Sequence, residues 1–166
     1  RGSVIPLFVS QIKDNKPITI TDPEMTRYLM TLDESVELVM HAFSEGLSGD
    51  VFVQKSPACT LLDLAMALKN IFNYKKNNVI IGTRHGEKLY ESLLSREEMA
   101  RVINCGKFFR LPADNRALNY DKYYKEGKHI SKESKEYTSH NTERLNVSQI
   151  ENLLLSLDFI KEEIQN

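Results

Sequence analysis

From Val4 onward the apolar residues Val4, Phe8 and Ile12 recur at helical spacing with Leu7 beside them, which predicts an amphipathic first helix. Ser3 stands where a cap belongs, and Pro6 falls in the first turn, where a missing amide hydrogen costs little. Lys13-Asp14-Asn15 ends that helix, Ile18-Thr19-Ile20-Thr21 alternates as a short strand, and Asp22-Pro23 turns the chain. Asp33 reads as the cap of a second helix that carries Val36, Val39, Met40 and Phe43 on one face and stops at Gly46. Gly49-Asp50 then turns into the strand Val51-Phe52-Val53. Thr60 caps a third helix whose stripe is Leu61, Leu64, Ala65, Leu68 and Phe72, and Val79-Ile80-Ile81 is an apolar strand released by Gly82. Ser95 with Glu98 forms a capping box for a short helix.

Short strands alternating with helices predict a mixed α/β layer rather than a bundle or a sandwich. Past Phe108-Phe109-Arg110-Leu111 the character changes: residues 113–145 are polar, rich in tyrosine and lysine, and without a sustained period. So long a stretch reads as a functional arm or latch rather than an ordinary connection. Residues 146–166 return to helical periodicity, with Asn146 and Gln149 as a capping box and Val147, Ile150, Leu153, Leu154 and Leu157 on one side. That apolar face needs a partner surface, in this domain or on another subunit. The expected organisation is therefore a binding domain over 1–112, the arm over 113–145 and a final helix over 146–166.

Composition narrows the classes. The chain has 166 residues, 41% of them hydrophobic and 27% charged, with a formal net charge of -1. That balance suits a soluble α/β domain and gives no support to a nucleic-acid binder. Cys59 and Cys105 have neither disulfide nor zinc spacing, the four histidines are scattered, and no apolar run approaches a membrane span. The expectation is a cytoplasmic protein with no metal site and no membrane segment. The chain starts at Arg1 without methionine, as a domain behind a cloning remnant or a piece cut from a longer protein would.

The chemistry gathers at strand ends, where ligands of α/β folds bind. Thr83 to Lys88 follows an apolar strand. Arg84 offers a planar fork for phosphate, Gly86 permits close backbone approach, and Glu87 can accept hydrogen bonds from sugar hydroxyls. Alone this is better explained by a charged surface turn with an Arg-Glu pair, and His85 beside it reads as a structural histidine. Arg27, after a strand and a turn, is a second phosphate clamp or a snorkelling side chain. Gln54 and Lys55 follow another strand. Together these segments suit an anionic, hydroxyl-rich ligand. No nucleophile stands beside a visible base, no glycine-rich phosphate loop is present, and the Tyr120, Tyr123 and Tyr124 cluster reads as packing of the arm.

Three segments carry a resemblance: Arg1-Gly2-Ser3-Val4-Ile5-Pro6, Ile20-Thr21-Asp22-Pro23-Glu24-Met25-Thr26-Arg27-Tyr28-Leu29-Met30, and Thr83-Arg84-His85-Gly86-Glu87-Lys88-Leu89-Tyr90-Glu91. With Leu111 to Arg116 and Tyr137 to Leu145, they resemble the carboxy-terminal half of extended short-chain dehydrogenases, most of all the 5-epimerising UDP-N-acetylglucosamine 4,6-dehydratases of bacterial capsule and surface-polysaccharide synthesis. The resemblance implies a small mixed α/β substrate-binding domain whose Rossmann partner, with NADP or NAD and the catalytic residues, lies outside this sequence. It implies that Arg84 and Glu87 meet the diphosphate and the uridine ribose of UDP-N-acetylglucosamine, and that Arg27 lies near the diphosphate. Gly2, Ser3, Val4 and Thr19 would line the uridine site, with Gln54 at the same edge. No catalytic residue and no bound cofactor are expected of this chain by itself. A homo-oligomer assembled through the arm and final helix is a further expectation. The alternatives are a portion of a UDP-N-acetylglucosamine 4-epimerase and a non-catalytic oligomerisation or binding module.

Overall fold

The first helix, α1 (Val4–Lys13), turns Phe8, Val9 and Ile12 inward. In the computed structural model, which describes residues 3–113 and 135–165, these three join one core with Ile18, Ile20, Met25 and Leu29. The core is completed by α3 (Leu61–Ile71) and by two carboxy-terminal helices, α5 (Val147–Ser156) and α6 (Asp158–Gln165). Leu64, Leu68, Ile150, Leu154 and Ile160 are all fully buried there. The apolar face of the predicted final helix thus finds its partner inside this chain, against α3. That helix is broken in two at Leu157, whose extended backbone (φ -76°, ψ 128°) caps α5.

Strands are short and pair across long sequence distances. β1 (Thr19–Ile20) lies parallel to β5 (Val79–Ile80), and β2 (Thr26–Tyr28) lies antiparallel to β4 (Ala58–Thr60) with Arg27 opposite Cys59. β3 (Val51–Gln54) forms the edge of a three-stranded antiparallel sheet in the order β3-β8-β7, with β7 at Ile103–Cys105 and β8 at Phe108–Leu111. β6 (Ser92–Leu94) pairs with β9 (Tyr137–Thr138) across a register shift. The mixed α/β fold is as expected, but Met25-Thr26-Arg27 does not sit in a loop after a strand; it enters a strand of its own.

Local end signals fare unevenly. Ser95 with Glu98 opens α4 (Arg96–Met99), and Asn146 with Gln149 opens α5, both as reciprocal capping boxes. Thr60 caps α3 through the Asp63 amide. Ser3 occupies the cap position of α1, yet its side chain makes no capping bond. Asp33 is not the cap of α2 (Leu32–Glu45): Thr31 is, in a box with Glu34, and Asp33 lies in the first turn, where its charge still favours the helix dipole. Gly46 ends α2 at φ -79°, so it is not a left-handed stop; a Cβ there would run into the Ala42 carbonyl oxygen.

Helix α2 is turned against expectation. Its half-buried side is Glu34, Ser35, Leu38, His41 and Ala42, with the His41 ring stacked on Phe108 (4.4 Å) and edge-on to Phe52 (5.3 Å). None of its residues is fully buried. The apolar stripe points outward.

Residues 135–145, the described end of the polar stretch, are fastened to the body. β9 pairs with β6, the Ala58 amide donates to the Glu143 carbonyl (2.8 Å), the Leu145 amide donates to the Ala58 carbonyl (2.9 Å), and the Thr142 hydroxyl donates to the Ser56 carbonyl (2.8 Å). The tyrosines of the 113–145 stretch that lie at 120, 123 and 124 are outside the described residues.

Candidate functional site

A cavity of about 510 Å³ opens where α1 begins, where β1 and β2 lie, and where the chain leaves β5. Its size falls in the range of small-molecule sites. Six expected residues, Ser3, Val4, Thr19, Arg27, Arg84 and Glu87, line this one space. Gly2 lies outside the described residues. Gln54 does not line the cavity: it ends β3 opposite Phe108, is 8% exposed, and its Oε1 is buried without a hydrogen-bond partner. Its neighbour Lys55 is held elsewhere, donating to Asn104 Oδ1 (2.5 Å) and the Gly106 carbonyl (2.6 Å) over the Phe109 ring.

The Arg84–Glu87 turn is built locally. Gly86 adopts φ +80°, a conformation that β-carbon-bearing residues rarely take, and the Glu87 amide donates to the Arg84 carbonyl (3.1 Å). Glu87 Oε2 accepts the Arg84 amide in return (3.1 Å), which leaves its other carboxylate oxygen for a ligand. The Arg84 guanidinium is exposed and has no partner among the described residues. His85 is exposed as well, not packed as a structural histidine.

Arg27 behaves differently. Its guanidinium donates to the Thr26 carbonyl (2.7 Å) and the Lys88 carbonyl (3.0 Å), approaches Met25 Sδ (2.9 Å), and pairs with Glu91 (3.6 Å). Two arginines face one cavity, but Arg27 ties the 83–91 loop to β2 while Arg84 is uncommitted. The N-terminus of α1, with no acidic residue in its first turn and no side-chain cap, adds the positive end of a helix dipole.

Residues that sequence reasoning passed over complete the site. Gln11 fixes Thr19 twice, its Nε2 donating to Thr19 Oγ1 (2.8 Å) and its Oε1 accepting the Thr19 amide (3.1 Å). The available signal was spacing: Val4, Leu7 and Gln11 share a helix face. Leu7, Phe8, Met25, Leu61 and Ile81 give the cavity its apolar wall, and Thr21 adds a hydroxyl. Behind it, Ser139 is fully buried: its Oγ lies 2.7 Å from Thr26 Oγ1 and accepts the Glu91 amide at 2.9 Å. The Ser139 amide donates to the Glu91 carbonyl (2.8 Å) and the Thr26 amide to the Leu89 carbonyl (3.0 Å), so the loop is sewn to β2 at its far end. Among the described residues the lining contains no histidine, cysteine, lysine or tyrosine. Its guanidinium groups, hydroxyls and the Glu87 carboxylate are equipped to bind an anion that carries hydroxyls.

A family of proteins described as polysaccharide biosynthesis proteins matches residues 1–113, and the carboxy-terminal region of that group matches 114–161. The chain belongs to the polysaccharide biosynthesis protein family. Among relatives of this polysaccharide biosynthesis chain, the UDP-glucose 4-epimerase of Rickettsia bellii (strain OSU 85-389) is 57% identical over all 166 residues. That of Rickettsia rickettsii (strain Sheila Smith) is 55% identical, again over the whole chain. The chain spans 49% of the length of either relative. Among solved structures, Pen from Bacillus thuringiensis superposes with a TM-score of 0.75 at 30% identity, over 94% of this chain and 46% of Pen. The mixed α/β architecture is thus shared with a longer protein, in keeping with the expected carboxy-terminal portion of an extended short-chain dehydrogenase. Among the described residues no helix is long and apolar enough to cross a membrane, and no cluster of histidine, cysteine, aspartate or glutamate could hold a metal ion.

Proposed function

We propose that this chain is the UDP-sugar-binding portion of a nucleotide-sugar enzyme, with Arg84 meeting the diphosphate and Glu87 the ribose hydroxyls. The observation that carries the reading is the uncommitted Arg84 guanidinium on a cavity shared with the open end of α1 and the Thr19 hydroxyl. Arg27 holds the loop in shape and lends its charge. The apolar wall of Phe8, Met25 and Leu61 suits a base or ribose face. The relatives named as UDP-glucose 4-epimerases support a UDP-sugar ligand.

A nicotinamide dinucleotide does not fit the residues present. Its pyrophosphate needs a glycine-rich turn at a helix start, and the seven glycines here are never closer than three residues apart. NADP or NAD therefore belongs to a part of the longer protein that this sequence does not cover. For the reaction, 4,6-dehydration with inversion at carbon 5 rests on the resemblance along the whole chain, since the Thr-Arg and Arg-x-Gly-Glu motifs serve UDP binding in either enzyme. The second reading is 4-epimerisation, which the names of the relatives favour. Product analysis of the longer protein by NMR separates them, since only dehydration yields a 4-keto-6-deoxy sugar.

The binding claim is tested by titration calorimetry of UDP into this chain. Arg84→Ala is expected to weaken binding 10-fold or more, about 1.5–3 kcal/mol for charge-assisted hydrogen bonds. Unchanged affinity removes Arg84 from the site.

A further inference from the structure

Two bonds fix which way the Thr19 hydroxyl acts. A backbone amide only donates, so the Gln11 atom 3.1 Å from the Thr19 nitrogen is the side-chain carbonyl oxygen; the reverse orientation would set donor against donor. The amide nitrogen of Gln11 therefore faces Thr19 Oγ1 at 2.8 Å, and the hydroxyl accepts from it. The hydroxyl hydrogen has no acceptor of its own among the described residues, and Thr19 lines the cavity. That hydrogen is left for whatever occupies the space. An occupant with an acceptor there completes the bond, whereas one with a donor strands the hydrogen.

The place of Thr19 in the fold decides which part of a ligand it meets. Thr19 opens β1, opposite Val79, whereas Arg27 and Arg84 come only after the chain has left β1 and β5. Along α1 the order is the same: Ser3 and Val4 line the cavity at the open amino end, and Gln11 sits two turns past Val4, about 10 Å along the axis. Leu7 and Phe8 lie between them and give that stretch an apolar wall. A nucleotide with its phosphates on the arginines and the start of α1 reaches Thr19 with the part furthest from them, the base. Resting on the nucleotide reading of this cavity, we propose that Gln11 is a positioning residue that leaves the Thr19 hydroxyl as a donor toward the base. The pair then selects a pyrimidine that presents a carbonyl oxygen over one that presents an amino group, uracil over cytosine.

The test is calorimetric titration of UDP and of CDP into this chain at neutral pH, where the two carry the same phosphates and differ in the base. The chain is expected to prefer UDP by about 10-fold or more. Gln11→Glu keeps an acceptor for the Thr19 amide but sets a second acceptor against the hydroxyl, which then donates to it and turns lone pairs to the cavity. Its charge weakens both nucleotides alike, so the ratio of affinities isolates the polarity; that ratio is expected to fall below about 3-fold or to reverse. Thr19→Val is expected to lose the preference, Thr19→Ser to keep it, and Gln11→Glu added to Thr19→Val to leave the ratio where Thr19→Val put it. A chain that binds UDP without preferring it to CDP, or whose preference survives Gln11→Glu or Thr19→Val, overturns this inference and leaves the nucleotide reading standing. A chain that binds neither nucleotide overturns both.

Discussion

Ser139 offers the sharpest test of how the site is held. Its Oγ meets Thr26 Oγ1 at 2.7 Å, the Glu91 amide at 2.9 Å and the Thr26 carbonyl at 3.3 Å, and both Ser139 and Thr26 are fully buried. Ser139→Ala removes a small hydroxyl and leaves two polar groups, the buried Thr26 hydroxyl and the part-buried Glu91 amide, short of a partner. Each such group costs about 1–3 kcal/mol, whereas the methylene volume lost is nil. A fall of about 2–4 kcal/mol in unfolding free energy is expected, a large share of the stability of a domain this size. Thr26→Val in the Ser139→Ala background keeps the shape and removes one orphan, so the double variant should be less destabilised than the sum of the singles by about 1 kcal/mol or more. Urea titrations followed by circular dichroism measure all four proteins, with the slope checked for constancy. A loss under about 0.5 kcal/mol for Ser139→Ala, or strict additivity of the pair, refutes the reasoning.

Other expectations are as concrete. Asp50 is held below the ordinary carboxylate range, first by the Leu47 amide, with the Ala113 amide and the Arg110 guanidinium adding to it against the opposing effect of burial. A lowered folded-state pKa gives stability that is present above about pH 4 and fades as pH falls through the lowered value, so Asp50→Asn should flatten the acid limb of the stability curve. An unaltered limb in urea titrations between about pH 2 and pH 5 counts against that bonding. Burial, with the Asp63 charge, pushes the Cys59 thiol up to about 12, and Arg144 only partly opposes this; Cys105 is half-buried. A disulfide reagent at neutral pH should count one fast thiol in the native chain and two after unfolding, and Cys105→Ser should abolish the fast one. Leu154→Ala, in the seam between α3 and α5, should cost about 2–5 kcal/mol by urea titration, and a loss below about 1 kcal/mol would mean that the seam is loose.

The parts of the fold that the sequence made legible are those decided within a turn or two. The capping boxes at Ser95 and Asn146, the Thr60 cap and the inward stripe of α3 each rest on neighbours within four positions. Of the short strands, β1, β3 and β5 were legible as alternating or apolar runs, whereas β2, β6 and β9 were not: two or three residues have no measurable period, and these exist through partners far along the chain. In α2 the pattern gave an apolar face but not what lies against it, and the face proved to look outward. At the site, strand-end logic reached Arg27, Arg84 and Glu87, and the resemblance added Ser3, Val4 and Thr19; all six line one cavity, beside which β1 and β5 run parallel. Gln54 follows the same logic and fails: antiparallel β3 ends beside Phe108, in another sheet. Gln11 and Ser139 left little trace, since nothing marks a polar residue whose partner stands 8 or 113 positions away.

The two family regions meet between residues 113 and 114, yet that junction is not a seam in the folded protein. Ile150, Leu154 and Ile160 belong to the same core as α1 and α3, and the Ala58–Arg144 bridge carries the later region onto β4. A chain ended at 113 would bare the α3 face and free the far end of the 83–91 loop together. The two regions should therefore melt in one transition, gain and lose ligand affinity as a pair, and resist exchange between relatives one at a time.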